Sequence, residues 1–477
     1  MRVRSFLAVG SALLLTAVLP VVASAGPFKV KRLQAISAGP SLFPGGCPGA
    51  FHDAEKPTGL EIEPAITASP ANPRNIVATW KQDVSAAFNA RDDVVASSLD
   101  GGKTWRRSTI PSLTRCTGGT SDTASDPWVS AGGDGTVYFG GQSGLTSTDP
   151  PLVAIAASHS VDGGRHWAGP ATVAPRLGGN EQPAVTGSPT LQGHAYMVWA
   201  NFLLSVPPPW ANTVSFSRTT DSGTTWSPPV LIDQPGPFAV DQAPRLLVLP
   251  NGTLLTLFAR TDLEAGFGAH YAARSLDEGR TWLPPVQLGP HLPLVAFFDP
   301  ETGEQLPQPH YPSAAVAPDG TAYIAFEANS SATSGGIGVA KSHDGGLTWG
   351  SSMLPGVSAY AFEPAIAVNK KGTVSVIWYD LRNDRPGDAA LTADVWFAHS
   401  HNRGSSWRQT HVAGPTDIRT GLPPAQNRFG EYQGLAGLRR GFAAAFTLAA
   451  PQAEDGQTDI FFARIKPGGG GDKDDRR

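Results

Sequence analysis

An eight-residue box, Ser98-Leu99-Asp100-Gly101-Gly102-Lys103-Thr104-Trp105, returns at Ser160–Trp167, Thr219–Trp226, Ser275–Trp282, Ser342–Trp349 and Ser400–Trp407. Each copy reads Ser/Thr-x-Asp-x-Gly-x-x-Trp, and Asn402 replaces the acid in the last. The key positions, Asp100, Asp162, Asp221, Asp277, Asp344 and Asn402, recur about every 60 residues. Each box joins two strand-like runs. An Asp side chain accepts backbone N–H groups two residues on and so holds a tight turn, and Gly supplies the positive φ such a turn needs. The Trp is expected to cover the base of the hairpin. A repeat of this length is a repeated supersecondary unit, and a propeller blade is the natural candidate.

Composition agrees with many short strands and turns. The 477 residues include 54 glycines and 43 prolines, and only 16% are charged, which excludes a helical or coiled-coil protein. A net charge of −4 without a basic run makes nucleic acid an unsuitable partner. Arg2 and Arg4, the apolar run Phe6–Val22 and Ala23-Ser24-Ala25 read as a secretory signal cleaved near Ala25. The protein is therefore expected to be extracellular or periplasmic. No later stretch is long and apolar enough to span a bilayer. In that setting the only two cysteines, Cys47 and Cys116, are expected to pair.

Between the boxes the chain keeps a constant order. First strands begin at Glu63-Pro64, Asp126-Pro127, Gln182-Pro183, Ala243-Pro244, Tyr311-Pro312, Glu363-Pro364 and Glu431-Tyr432. Turn dipeptides such as Asp134-Gly135, Asn251-Gly252 and Asp319-Gly320 follow, then a β-rich run, a loop, a third strand, the box and a fourth strand. These are four-stranded antiparallel meanders spanning 63–466, after a leader at 26–62 and before a disordered tail at 467–477. Seven starts for six boxes leave the last unit without its fourth strand. A leader strand at Phe28–Ile36 is expected to supply it and close the ring, removing an exposed sheet edge. The expected fold is all-β, a seven-bladed propeller, with six blades as the alternative.

The six boxes resemble the Asp-box (BNR) repeats of sialidase-like β-propellers, over roughly Glu63 to the C-terminus. The resemblance implies a glycan-acting propeller whose boxes lie away from the site. For a sialidase it implies three arginines on the substrate carboxylate, a tyrosine–glutamate nucleophile and an aspartate acid/base. The Phe/Tyr-Arg-Ile-Pro motif that anchors the first arginine is absent; the leader offers only Phe28-Lys29-Val30 and Lys31-Arg32-Leu33.

Tracing a blade puts the long, dissimilar loops and the first-strand starts on one face, where function is expected to sit. Glu63, Asp126, Glu181, Asp241, His310, Tyr311, Glu363, Glu431 and Tyr432 should ring that opening, joined by Arg245, Arg260, Tyr379, Asp380, Arg382 and Arg428. Carboxyls and tyrosines suit proton transfer and nucleophilic attack at a sugar, so Asp126, Glu363, Tyr379, Glu431 and Tyr432 are the catalytic candidates. Arginine pairs with carboxylates, so Arg245, Arg260, Arg382 and Arg428 are binding candidates with His310 and Tyr311. The same acids before first strands also suit a latch onto backbone N–H groups of the neighbouring blade. Three functions follow: a sialidase-type glycoside hydrolase, a non-catalytic propeller binding glycan or protein, or a lyase using His310 and Tyr311. No cofactor is indicated, and no metal-ligand spacing occurs, though a carboxylate ring can hold Ca²⁺.

Overall fold

The computed structural model describes residues 27–468 except 44–46, 48–59, 86–88, 149–150, 177–178, 203–211, 237, 294–296, 300, 307–310, 329–334, 359, 386, 389, 422–428 and 451–456. The signal-like N-terminus, His310, Arg428 and nearly all of the tail lie outside these residues.

The regular structure of the described residues is nearly all strand, with only short 3-10 turns at Arg115–Thr117 and Ile418–Thr420. Its strands form four-stranded antiparallel meanders in chain order. The first is Leu60–Ala68, Ile76–Val84, Ala90–Ser98 and Arg106–Thr109. The second is Thr123–Ala131, Val137–Leu145, Leu152–Ser160 and Ala171–Ala174, and a single pair, Ala90 with Ala124, joins it to the first. The third group runs from Gly179 to Asp233 and the fourth from Ala239 to Gln287. The fifth spans Ser313–Met353 and the sixth Ala361–Asp417. The last group has Gly434–Gly437, Phe442–Ala449 and Thr458–Pro467, and its fourth strand is Phe28–Ala35 from the other end of the chain. Phe28 is buried between Phe397 and Phe442, with ring centroids 5.8 and 5.7 Å away.

First strands lie against first strands: each touches that of the next group, and Gly434–Gly437 touches Leu60–Ala68. The core lies between neighbouring sheets. One cluster joins Ile76, Trp80 and Val94 of the first group to Ala443, Ile460 and Phe462 of the last.

The boxes have the turn chemistry their sequence dictates. Ser98 Oγ accepts from Gly102 N–H (2.8 Å) and donates to Asp100 Oδ1 (2.8 Å), which accepts from the N–H groups of Lys103 and Thr104. The other boxes use the same scheme, as in Ser275 with Asp277 and Ser400 with Asn402. Bonds from the Thr281 backbone and hydroxyl hold the Asp277 pKa down to about 2.

The box Trp does more than cover its own hairpin; it sits between two sheets. Trp105 meets Phe462 of the last group edge-on at 5.0 Å, and Trp282 meets Phe216 of the third at 5.2 Å. The box glycine explains why. A Cβ on Gly102 would stand 2.4 Å from the Phe462 ring, and one on Gly279 2.1 Å from Phe216. Gly is needed both for its positive φ and for close approach of the preceding sheet. The Cys47–Cys116 disulfide ties the leader to the turn after the first group.

Candidate functional site

At several first-strand starts a non-glycine residue takes the left-handed conformation directly before a proline: Glu63 (φ 56°), Asp126 (51°), Gln182 (56°), Ala243 (51°) and Glu363 (50°). Each lies where the register with the second strand shifts. Proline fixes its own φ and denies the residue before it the right-handed helical region, and a bulge re-aims the side chain. The re-aimed side chains bond sideways. Asp126 Oδ2 accepts the Gln182 N–H (2.9 Å), and Gln182 Oε1 accepts the Ala243 N–H (2.6 Å). Glu327 Oε1 takes the Glu363 N–H (2.9 Å), and Gln433 Nε2 donates to the Glu363 carbonyl (2.7 Å). This is the latch that recurring x-Pro starts suggest.

Inside the latch sits a buried charge cluster. The Lys81 ammonium, wholly enclosed, lies 2.8 Å from Glu63 Oε2 and 3.1 Å from Asp126 Oδ1. Burial works against its charge, but the carboxylates of Glu63, Asp126 and Glu431 outweigh that and hold the pKa above its ordinary value. Asp93 is fully buried without a hydrogen-bond partner on either oxygen; burial, then Asp92, push its pKa well up. Burial raises Glu63 to about 7 despite Lys81. Lys81 and Asp93 escape a sequence reading that follows first-strand starts. Their signal is charge at strand positions, in Thr-Trp-Lys-Gln-Asp and Arg-Asp-Asp-Val-Val, where apolar residues are due.

Beside this cluster, and only partly buried, are Glu181, Tyr311, Glu431 and Trp128. The Tyr311 hydroxyl interacts with the Glu431 carboxyl and accepts a hydrogen bond from Gln182 Nε2. Burial, then the charges of Glu63 and Asp126, raise the Glu431 pKa well above the usual range, and burial does the same for Tyr311. Glu181 rises to about 7, through burial and then Asp126. Arg245 is 6% exposed, its guanidinium 4.2 Å from the Trp128 ring and 5.7 Å from Tyr432. It donates to the Pro244 carbonyl (2.9 Å), and its Nε is buried without a partner.

The other candidates are placed differently. Tyr432 stacks edge-on against Trp128 (5.5 Å) and donates to the Pro127 carbonyl (3.1 Å). Glu363 is buried beside Glu327, with one oxygen unpartnered. Tyr379 is buried in the core between the sixth and last groups, where its hydroxyl exchanges hydrogen bonds with the Thr447 carbonyl (2.7 Å) and N–H (2.9 Å). Arg260 pairs with Asp241 and Asp233 and stacks on Tyr271 at 4.6 Å. Arg382 pairs with Asp380, bonds Gln409 and stacks on Trp396 at 4.2 Å. Among the described residues no group of His, Cys, Asp and Glu is arranged to hold a metal ion.

No family model matches this chain, and no curated protein does. Among solved structures, a protein of unknown function from Dyadobacter fermentans DSM 18053 is similar with a TM-score of 0.50 at 16% identity, covering 78% of this chain and 98% of that one. The Hadza microbial sialidase Hz136 gives 0.47 at 16% identity over 83% and 74%. A Penicillium chrysogenum alpha-L-arabinanase complexed with arabinobiose gives 0.46 at 15% identity over 71% and 92%. At these identities the likeness is one of fold.

Proposed function

We propose that the chain is an exported seven-bladed propeller that hydrolyses glycosidic bonds at the mouth formed by its first strands. The ring reading rests on the cyclic contacts of the first strands and on the pairing of Phe28–Ala35 with Thr458–Pro467. Export rests on the signal-like N-terminus and the disulfide. The observation that carries the chemistry is the placing of Tyr311 beside Glu431, with Glu181 close enough to act on it.

In this reading Tyr311 Oη attacks the anomeric carbon while its proton passes to Glu431 in its carboxylate form, which its raised pKa makes a strong base but the minor species. The bond to the leaving oxygen breaks as Glu181 gives that oxygen its proton. Water then attacks the anomeric carbon with Glu181 now acting as base, and the bond to Tyr311 Oη breaks as Glu431 returns the proton to the phenol. A carboxyl raised to about 7 is still largely protonated at pH 6, as a general acid must be. Arg245 and Trp128 form a platform that orients the sugar. The sialidase-type version needs arginines free to grip a carboxylate, whereas Arg260 and Arg382 are paired within their own sheets. The lyase version needs His310.

A non-catalytic glycan-binding propeller is the second reading, favoured by the latch bonds that occupy Asp126. Hydrolysis of a broad glycoside panel at pH 6 separates the two. The hydrolase reading expects turnover by the mature chain, with at least a hundredfold loss in both Tyr311→Phe and Glu431→Gln while their melting stays near wild type. Folded protein that binds a glycan and cleaves none of the panel sinks it.

A further inference from the structure

We propose that Gln182 is a further catalytic residue, an amide donor that steadies the charge on Tyr311 Oη as its bond to the sugar forms and breaks. This rests on the reading that Tyr311 is the nucleophile, and it adds a second partner for the reacting oxygen besides Glu431.

The orientation of the amide follows from its neighbours. Gln182 Oε1 accepts the Ala243 N–H (2.6 Å). A backbone N–H can only donate, so the amide oxygen must face Ala243 and its NH2 group must face the Tyr311 hydroxyl, which Nε2 contacts. Tyr311 Oη therefore accepts from Gln182 and keeps its own hydrogen for Glu431. The amide is also held in place from behind. Gln182 is 6% exposed, takes φ 56° before Pro183, and gives its backbone N–H to Asp126 Oδ2 (2.9 Å). Asp126 is in turn fixed by Gln142 Nε2 (2.7 Å) and by Lys81 Nζ (3.1 Å). A donor fixed before the reaction needs no reorganisation when charge develops in front of it.

The surroundings of Tyr311 otherwise oppose a negative oxygen. Burial, then Glu431 and Glu181, hold its pKa well above the ordinary value. A neutral NH2 group acts in the opposite sense. As Oη bonds the anomeric carbon and its hydrogen passes to the Glu431 carboxylate, the N–H bond stabilises the charge that builds on the oxygen. In the second step the bond from Oη to carbon breaks and its electron pair returns to Oη. The same N–H supports the phenolate until Glu431 returns the proton. Gln182 itself neither gains nor loses an atom.

Gln182 is also a link in the latch, and two variants separate the roles. Gln182→Glu keeps an acceptor for the Ala243 N–H but replaces the NH2 donor by oxygen. Gln182→Met removes both. Both should lower kcat about a hundredfold, the effect of one lost donor to a developing oxyanion, with KM within about threefold of wild type. The melting temperature should fall in Gln182→Met and stay near wild type in Gln182→Glu. Relative to wild type at each pH, Gln182→Glu should recover part of its loss at pH 5 compared with pH 7, because a protonated carboxyl can donate to Oη again. A spectroscopic readout needs no turnover. Fluorotyrosine replaces the eight tyrosines, and the fluorine signal that vanishes in Tyr311→Phe is followed. That signal should shift in both Gln182 variants.

Gln182→Glu with wild-type kcat, or a Tyr311 signal unmoved in both variants, overturns the assignment and leaves the hydrolase reading intact. Activity lost only in Gln182→Met, in step with its melting, makes Gln182 a latch alone and overturns it equally. No turnover by folded wild-type protein defeats the hydrolase reading and the catalytic role together, even where the Tyr311 signal shifts.

Discussion

Arg260 and Arg382 each stack on an aromatic ring and hold a carboxylate of their own sheet. Their residue type and position at second-strand ends suggest substrate binding, and only the side-chain partners show otherwise. Arg245 differs, lying against the Trp128 ring with its Nε unpartnered. Glu181 is the residue whose protonation should be visible in kinetics. With its pKa at about 7, the acid form is lost as pH rises through that value. The activity limb above pH 7 should therefore fall about tenfold per pH unit. Glu181→Gln should lower activity and flatten the limb, and a pH–rate profile reads both. Trp105 makes the inter-sheet contact with Phe462. Trp105→Ala should cost about 3 kcal/mol or more of stability, measured by denaturant unfolding.

At the scale of elements, much of the architecture is legible in the sequence. The boxes and the x-Pro starts fix where the hairpins turn, because Asp, Gly and Pro each impose a local geometry. The leader strand was also readable, as a β-rich run needed to complete the last meander. Less legible was the mouth. Tyr311 and Glu431 stand 120 positions apart on loops of unlike sequence, so nothing local pairs them. Lys81 and Asp93 come from second and third strands and meet the Glu63 and Asp126 starts only after packing. The box Trp reads as a plug for its own hairpin, since the ring it leans on belongs to another sheet: Phe216 for Trp282, and Phe462, near the other end of the chain, for Trp105. If the Phe28–Ala35 strand closes the last meander, deleting residues 27–36 bares the edge of Thr458–Pro467. The truncated protein should melt well below wild type and self-associate, as read by light scattering. An unchanged melt and a monodisperse monomer would contradict that role.

For the whole molecule, the buried carboxyls set the dependence of stability on pH. Glu63, Glu181 and Asp92 titrate at about 7 and Glu327 at about 8, all raised chiefly by burial. In the unfolded chain they titrate near 4. Between these values the folded state holds more protons than the unfolded one, so stability falls as pH rises from about 4.5 to about 8. His399 acts in the other sense. Burial lowers its pKa to about 4, so it costs stability as pH falls below about 6.5. The acids outnumber it, and thermal melts should be higher at pH 5.5 than at pH 8.5. The box aspartates act lower still, where bonds such as those to Asp277 are lost near pH 2.

In the proposed reaction Tyr311 is the attacking group, with Glu431 beside it. The measurement that tests this most directly is intact mass spectrometry after incubation with a panel of activated 2-fluoro sugars, followed by peptide mapping. One added glycosyl unit on the peptide carrying Tyr311, absent in Tyr311→Phe, is the predicted result. An adduct on another side chain, or none from any sugar that the protein is shown to hydrolyse, would contradict it.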